Sequence, residues 1–240
     1  MATDCLKDID VVVLAGGLGT RIFPVLKDTP KILAPIGGRP YLVFLLSWLK
    51  SFGAKRVVFG LGHLAGAVSE FLEKNPPKGI EVTIVIEGKP LGTAGAITNV
   101  RSEIRSNPVL ILNGDSFVDA DLCDLVALHK AQKSEVTLLC TNVSDASRYG
   151  TVNIDSGNRV SAFQEKTTNS GSGFINAGVY LFAPYILDEI ACCGSSLEVD
   201  FFQKQPTGRV AAMSGEYTFL DIGTPEDLAR APEVLGKYYS

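Results

Sequence analysis

An α/β fold, with a mostly parallel sheet flanked by helices, is the architecture this sequence predicts. Three observations carry that reading. Val- and Ile-rich runs of strand length recur through the first half, stretches with apolar residues at helical spacing alternate with them, and the connections are short. Right-handed crossovers between such strands bring their ends, and with them any ligand, to one edge of the sheet.

Val11-Val12-Val13-Leu14-Ala15 reads as a buried parallel strand that empties into Gly16-Gly17-Leu18-Gly19-Thr20-Arg21. Residues 41–52 have helical apolar spacing and stop at Gly53. Residues 56–61 form a second strand, 64–74 a helix closed by Asn75-Pro76-Pro77-Lys78-Gly79, and 81–86 a third strand. A helix over 95–104 leads to a fourth strand, 109–112, which ends in Asn113-Gly114-Asp115. The second half is less regular. Strands are expected at 136–142, 174–182, 209–213 and 217–220, with short helices at 186–191 and 197–203. Residues 151–154 and 159–163 flank Asp155-Ser156-Gly157-Asn158, a hairpin turn, and 167–173 reads as a flexible loop. The last helix, 224–238, has Thr224 as N-cap, Pro225 in its first turn and Glu226-Asp227 against the dipole, while Pro232 should bend or interrupt it.

The 240 residues suit one domain, 1–240, with ample material for a core. A hydrophobic content of 46% with 20% charged residues is ordinary for a soluble globular protein. The net charge of −4 argues against a nucleic-acid partner. No apolar stretch reaches membrane-spanning length, and the polar, acidic N-terminus is unlike a signal peptide, so the expected location is cytoplasmic, with no membrane partner. Five cysteines, an odd number, show no metal-ligand spacing, and Cys192-Cys193 reads as a reduced pair at a helix end. His63 and His129 read as surface or packing residues. A homodimer is compatible with the sequence, although no stretch marks an interface.

The first loop carries the strongest chemical signal. Its three glycines let backbone N–H groups point into one concavity. Arg21 adds a fork suited to phosphate, and Lys31 a mobile point charge. That combination asks for a polyphosphate. The pattern G-x-x-x-x-G-K-[ST] is absent, and the dinucleotide fingerprint fails because Ile22 stands at its third glycine. The second strand also ends in Gly60-Leu61-Gly62, without the acidic residue a dinucleotide ribose would need. Asp115 and Asp221 each follow a strand, and two carboxylates with substrate phosphates suffice for Mg²⁺.

L-A-G-G-x-G-T-R followed by T-P-K-x-x-x-P resembles the signature of sugar-1-phosphate nucleotidyltransferases, and later motifs extend the likeness over nearly the whole chain. The resemblance implies the nucleotidyltransferase fold: a Rossmann-like nucleotide-binding half, about residues 1–135, and an irregular sugar-phosphate-binding half, about 136–240. It implies that Leu14, Ala15, Gly16, Gly17, Gly19, Thr20, Arg21 and Gly114 bind nucleotide, with Glu87, Pro90, Gly92 and Thr93 beside base and ribose. A carboxylate at Glu87 suits guanine, since it accepts both N1–H and the exocyclic amine. The resemblance further implies Gly150, Glu165, Lys166, Asn176 and Gly178 in the sugar-phosphate pocket, Arg21, Lys31, Asp115 and Lys166 in catalysis, and Mg²⁺ on Asp115 and Asp221. The implied reaction is NTP plus sugar 1-phosphate giving NDP-sugar and pyrophosphate.

Three stretches look most like D-glycero-D-manno-heptose 1-phosphate guanylyltransferases: residues 28–36, Glu87 with Pro90-Leu91-Gly92-Thr93, and Arg148-Tyr149-Gly150-Thr151-Val152-Asn153. Mannose-1-phosphate guanylyltransferase and glucose-1-phosphate thymidylyl- or uridylyltransferase are the alternatives within the family. The chain departs from the common pattern at Ile22-Phe23 and at Ile32. A catalytically silent nucleotide-sugar sensor on this fold could dispense with Lys31, Asp115 or Asp221, yet all three are present. A nucleotide-sugar glycosyltransferase would need an Asp-x-Asp metal motif, for which Asp119-Ala120-Asp121 is the formal match.

Overall fold

The computed structural model describes residues 4–19, 21–164 and 171–238. β1 (Val11–Ala15) is followed by a short helix α1 (Phe23–Leu26), the paired segments β2 (Pro35–Ile36) and β3 (Arg39–Pro40), and α2 (Tyr41–Ser51). The chain continues through β4 (Arg56–Leu61), α3 (Ala65–Lys74), β5 (Glu81–Ile86), α4 (Gly92–Val100), β6 (Val109–Asn113), β7 (Ser116–Val118) and α5 (Leu122–Ala131). Next come β8 (Val136–Val143), β9 (Thr151–Ile154), β10 (Val160–Gln164), β11 (Gly173–Phe182) and α6 (Ile186–Ala191), then β12 (Val210–Gly215), β13 (Phe219–Asp221) and α7 (Pro225–Leu235).

Among the described residues nine strands form one sheet, with the path β10-β9-β11-β6-β1-β4-β5 and with β8 and β12 joined through β11. β6, β1, β4 and β5 are mutually parallel, as expected for the first half. β11 runs antiparallel to β6 and carries the second half onto the same sheet. The strand's alternating side chains divide the core into two layers. Val11 and Val13 face α2, α3, α5 and α7, while Val12 and Leu14 face α4, α6 and the Phe201–Phe202 pair. The chain leaves β1 toward β4 and β5, then returns to place β6 on β1's other side. That reversal opens a crevice beyond the ends of β1 and β6, where the Gly114 N–H donates to the Leu14 carbonyl at 2.8 Å.

Several expectations need correction. The helix predicted over 95–104 begins at Gly92 and ends at Val100, with a 3₁₀ turn over Arg101–Glu103. Its early start follows from contacts at its N-terminus, where the Ala94 N–H donates to the Ser195 carbonyl at 3.0 Å. Pro232 does not interrupt α7, which continues to Leu235 with Leu228, Ala231 and Leu235 packed in or against the core. Cys5 and Cys123 form a disulfide between the N-terminal segment and α5, which their separation of 118 residues had concealed. Cys192 and Cys193 are free, as expected. The hairpin turn is as read: Asp155 Oδ1 accepts the N–H groups of Gly157 and Arg159 at 2.8 and 2.9 Å. Thr224 caps α7, its hydroxyl accepting the Asp227 N–H at 3.2 Å. The predicted loop over 167–173 lies mostly outside the described residues, as do Thr20, Glu165 and Lys166. No helix among the described residues is long and apolar enough to cross a membrane.

Candidate active site

The glycine-rich loop after β1, the segment after β5 and the end of β6 enclose a crevice of about 420 Å³. Leu14, Ala15, Gly16, Gly17, Gly19, Arg21, Lys31, Glu87, Pro90, Gly92, Thr93, Gly114 and Asp115 all line it. A second cavity, of about 790 Å³, adjoins it and is lined by Gly150, Asn176, Gly178 and Asp221 among others. Arg21, Asn113 and Asp115 line both. Every predicted site residue within the described part of the chain therefore faces one of two connected spaces. Ile22 and Ile32, where the sequence departs from the common pattern, are buried in the core.

Glu87 is not a solvated strand end. Its Oε2 accepts the Leu91 N–H at 3.2 Å, and its Oε1 lies between Gly16 and Gly62, where a Cβ at either glycine would overlap it. The carboxylate is thereby held on the floor of the crevice, half-buried and ready to accept hydrogen bonds. His63 stands at the same wall, exposed, with its N–H 3.4 Å from the Gly16 carbonyl. His129 is a packing residue as read: buried, with Nδ1 2.8 Å from Thr137 Oγ1.

The two aspartates come together through a short antiparallel pair. β13 pairs with β7 so that Asp221 stands opposite Ser116, and the Ile222 N–H donates to the Asp115 carbonyl at 2.8 Å. The buried Tyr41 hydroxyl fixes this corner by donating to the Ser116 carbonyl at 2.7 Å; burial, and then the Asp115 charge, push its pKa up. Lys31 Nζ lies 2.7 Å from Asp115 Oδ2. Arg21 Nη1 and Arg148 Nη2 lie 3.2 and 3.8 Å from Asp221 Oδ2. Asp221 is only 8% exposed, and its Oδ1 accepts the Gly223 N–H at 2.9 Å. Three cations and two carboxylates thus meet where the two cavities join, an arrangement suited to gathering phosphate oxygens from both sides.

The pair of carboxylates fits a hard divalent ion that takes its remaining ligands from substrate. No group of three or more His, Cys, Asp or Glu residues that could hold a metal by themselves occurs among the described residues. Asp119 and Asp121 do not provide an alternative. Asp121 caps α5 by accepting the Cys123 N–H at 2.7 Å, and Asp119 accepts the Tyr238 hydroxyl at 2.6 Å and pairs with Lys237.

Sequence reasoning missed several cavity residues. Arg148 and Tyr149 lie inside a stretch singled out for its resemblance but were given no role, and Ser116 follows Asp115 directly, whereas Ser196, Glu198 and Gln203 sit in an otherwise ordinary helical stretch with no local signal.

The nucleotidyl transferase family model matches residues 10–237. The D-glycero-alpha-D-manno-heptose 1-phosphate guanylyltransferase of Campylobacter jejuni is 36% identical over 222 residues, covering 91% of this chain and 96% of that protein. A mannose-1-phosphate guanylyltransferase of Mycobacterium tuberculosis is 34% identical over 226 residues, covering 92% of this chain and 63% of that protein. The crystal structure of HddC from Yersinia pseudotuberculosis superposes with a TM-score of 0.83 at 34% identity, covering 94% of this chain and 99% of that one. A second HddC structure, complexed with GMP-PN, superposes with a TM-score of 0.82 at 33% identity, with the same coverage.

Proposed function

The chain belongs to the nucleotidyl transferase family, and on that premise we propose that it transfers a guanylyl group from GTP to a sugar 1-phosphate, forming a GDP-sugar and pyrophosphate. The observation that carries this reading is the junction of two cavities at Arg21, Asn113 and Asp115. A reaction that joins a triphosphate to a phosphorylated partner needs two adjoining pockets that share a charged boundary. Guanine is favoured by the seated Glu87 carboxylate and by the guanine nucleotide in the similar HddC structure. The sugar is D-glycero-D-manno-heptose 1-phosphate by likeness to the Campylobacter relative, with mannose 1-phosphate the competing acceptor by likeness to the mycobacterial one.

The residues divide the work. Gly16, Gly17 and Gly19, with Leu14, Ala15 and Gly114, form the backbone wall against the nucleotide, and Thr20 belongs to the same loop. Glu87, Pro90, Gly92 and Thr93 frame base and ribose. Arg21 exchanges its contact with Asp221 for the β- and γ-phosphates, and Lys31 leaves Asp115 for the reacting phosphates. Asp115 and Asp221 would then be free to hold Mg²⁺. That ion supplies charge neutralisation and a template for the phosphates. Gly150, Asn176 and Gly178 line the sugar side, and Glu165 and Lys166 are assigned there on the motif they match. The sugar phosphate oxygen is already anionic, so no side-chain nucleophile or general base is required, and catalysis rests on positioning and charge neutralisation. We propose a cytoplasmic location, where nucleoside triphosphates and sugar phosphates are at hand, with small molecules as partners rather than nucleic acid or a membrane. We propose a single domain, 1–240, and a homodimer as its assembly.

The test is a substrate panel. GTP, ATP, UTP, CTP and dTTP are each offered with manno-heptose, mannose and glucose 1-phosphates in Mg²⁺, and the NDP-sugar is identified by mass. GDP-heptose as the dominant product supports the assignment. A different product keeps the reaction and replaces the substrate. No product from any pair, with nucleotide still bound, moves the protein to the sensor class.

A further inference from the structure

The segment after α6 joins the two cavities at a second place. Thr93, in the first turn of α4, lines the nucleotide crevice. Its hydroxyl accepts the Leu197 N–H at 2.8 Å and donates to Glu198 Oε2 at 3.3 Å. The Ser196 hydroxyl donates to the same oxygen at 3.3 Å. Gly92, at φ +73°, admits the Ser195 carbonyl against its Cα; a side chain there would overlap that oxygen. Residues 195–198 are thus clipped to the turn that frames the nucleotide, while Ser196 and Glu198 line the adjoining cavity.

Charge sorts what can meet Glu198. Arg21, Arg148 and Lys31 gather at the junction, where phosphates belong. Among the described residues no cation pairs with Glu198, so this part of the wall repels phosphate and accepts hydroxyls. Asn176, whose Nδ2 donates to the buried Tyr180 hydroxyl at 2.8 Å, lines the same cavity as Glu198.

We propose that Glu198 accepts a hydrogen bond from a hydroxyl of the sugar, and that Thr93 is the positioning residue that holds it there from the nucleotide side. The inference rests on reading the second cavity as a sugar 1-phosphate site. Sugar recognition is then mechanically tied to the loop that carries the nucleotide.

Glu198→Gln and Thr93→Val test it, by sugar 1-phosphate KM at saturating GTP, with the Kd of a non-hydrolysable GTP analogue measured separately. Losing a hydrogen bond to a charged acceptor raises KM about tenfold or more in Glu198→Gln, with the analogue Kd within about twofold of wild type. Thr93→Val raises the same KM and also weakens analogue binding, since Thr93 lines the nucleotide crevice; the sugar-KM part of its effect adds little in the Glu198→Gln background because it acts through that one contact. Of a series of monodeoxy sugar 1-phosphates, one loses a similar factor with wild type and little with Glu198→Gln. An unchanged sugar KM in folded Glu198→Gln overturns the proposal. So does a parallel loss of analogue binding, kcat and melting temperature, which marks a structural role. A wild-type protein that turns over no sugar 1-phosphate overturns the transferase reading and this inference with it.

Discussion

Replacing Gly62 by alanine is expected to unseat Glu87 and to weaken guanine nucleotide binding while leaving the sugar side intact. Gly62 does not lie in the left-handed region, so alanine meets no backbone penalty there and the effect is steric. Its Cβ would overlap Glu87 Oε1, approach Cδ to 2.9 Å and lie 2.7 Å from the Gly16 carbonyl oxygen. Both neighbours must give: the Glu87 side chain moves and surrenders its bond to the Leu91 N–H, and the Gly16 carbonyl of the loop shifts with it. Overpacking of this kind costs about 1–3 kcal/mol of stability. A displaced carboxylate forfeits hydrogen bonds to guanine worth about 1.5–3 kcal/mol, or about tenfold to a hundredfold in Kd. Calorimetric titration with non-hydrolysable GTP and ITP analogues reads this directly, because hypoxanthine lacks the exocyclic amine. Wild type should prefer guanine, and Gly62→Ala should lose both affinity and preference. A folded Gly62→Ala protein with wild-type affinity and preference refutes the seat.

Three further outcomes concern the scaffold. Arg56, 8% exposed, pairs with Asp10 at 3.3 Å and donates to the Glu103 carbonyl at 2.7 Å, so Arg56→Met should leave the buried Asp10 charge with only the Arg105 and Ser106 N–H groups and cost about 3 kcal/mol in urea unfolding. Burial, with the nearby Lys130, lowers the His129 pKa below its ordinary 6.5. The unfolded chain therefore binds the proton first as pH falls, and stability should decline from about pH 6.5 downward to the depressed folded pKa, a slope that His129→Gln removes. Urea midpoints at a series of pH values check this. Reducing the Cys5–Cys123 bond should lower the melting temperature, by a loss of about 2–4 kcal/mol, with kcat/KM unchanged because the bridge lies among residues that line neither cavity.

Local chemistry was legible in the sequence, and pairings over long distance were not. The Val-rich run of β1, the Asp155–Asn158 turn and the Thr224 cap declare themselves within a few residues. The glycine loop with Arg21 and Lys31 stands out for the same reason, and these residues line one crevice. Asp115 and Asp221 could be singled out at their strand ends, but their juxtaposition depends on the β7–β13 pair. Glu198 meets Thr93 across 105 residues with no motif at its own end, and only the packing of α4 against the segment after α6 reveals it. Gly62 read merely as a missing acidic residue; its purpose is visible only once Glu87 from the next strand lies against it.

The central claim is nucleotidyl transfer at the shared boundary of the two cavities. Its most direct measurement is the rate of pyrophosphate and GDP-sugar formation from GTP and manno-heptose 1-phosphate in Mg²⁺, for wild type, Lys31→Ala and Asp221→Asn. The account predicts equal amounts of both products from wild type and losses of about 10²–10³ or more in kcat for each variant, as for removal of a transition-state charge contact. Undiminished turnover in both folded variants would contradict it.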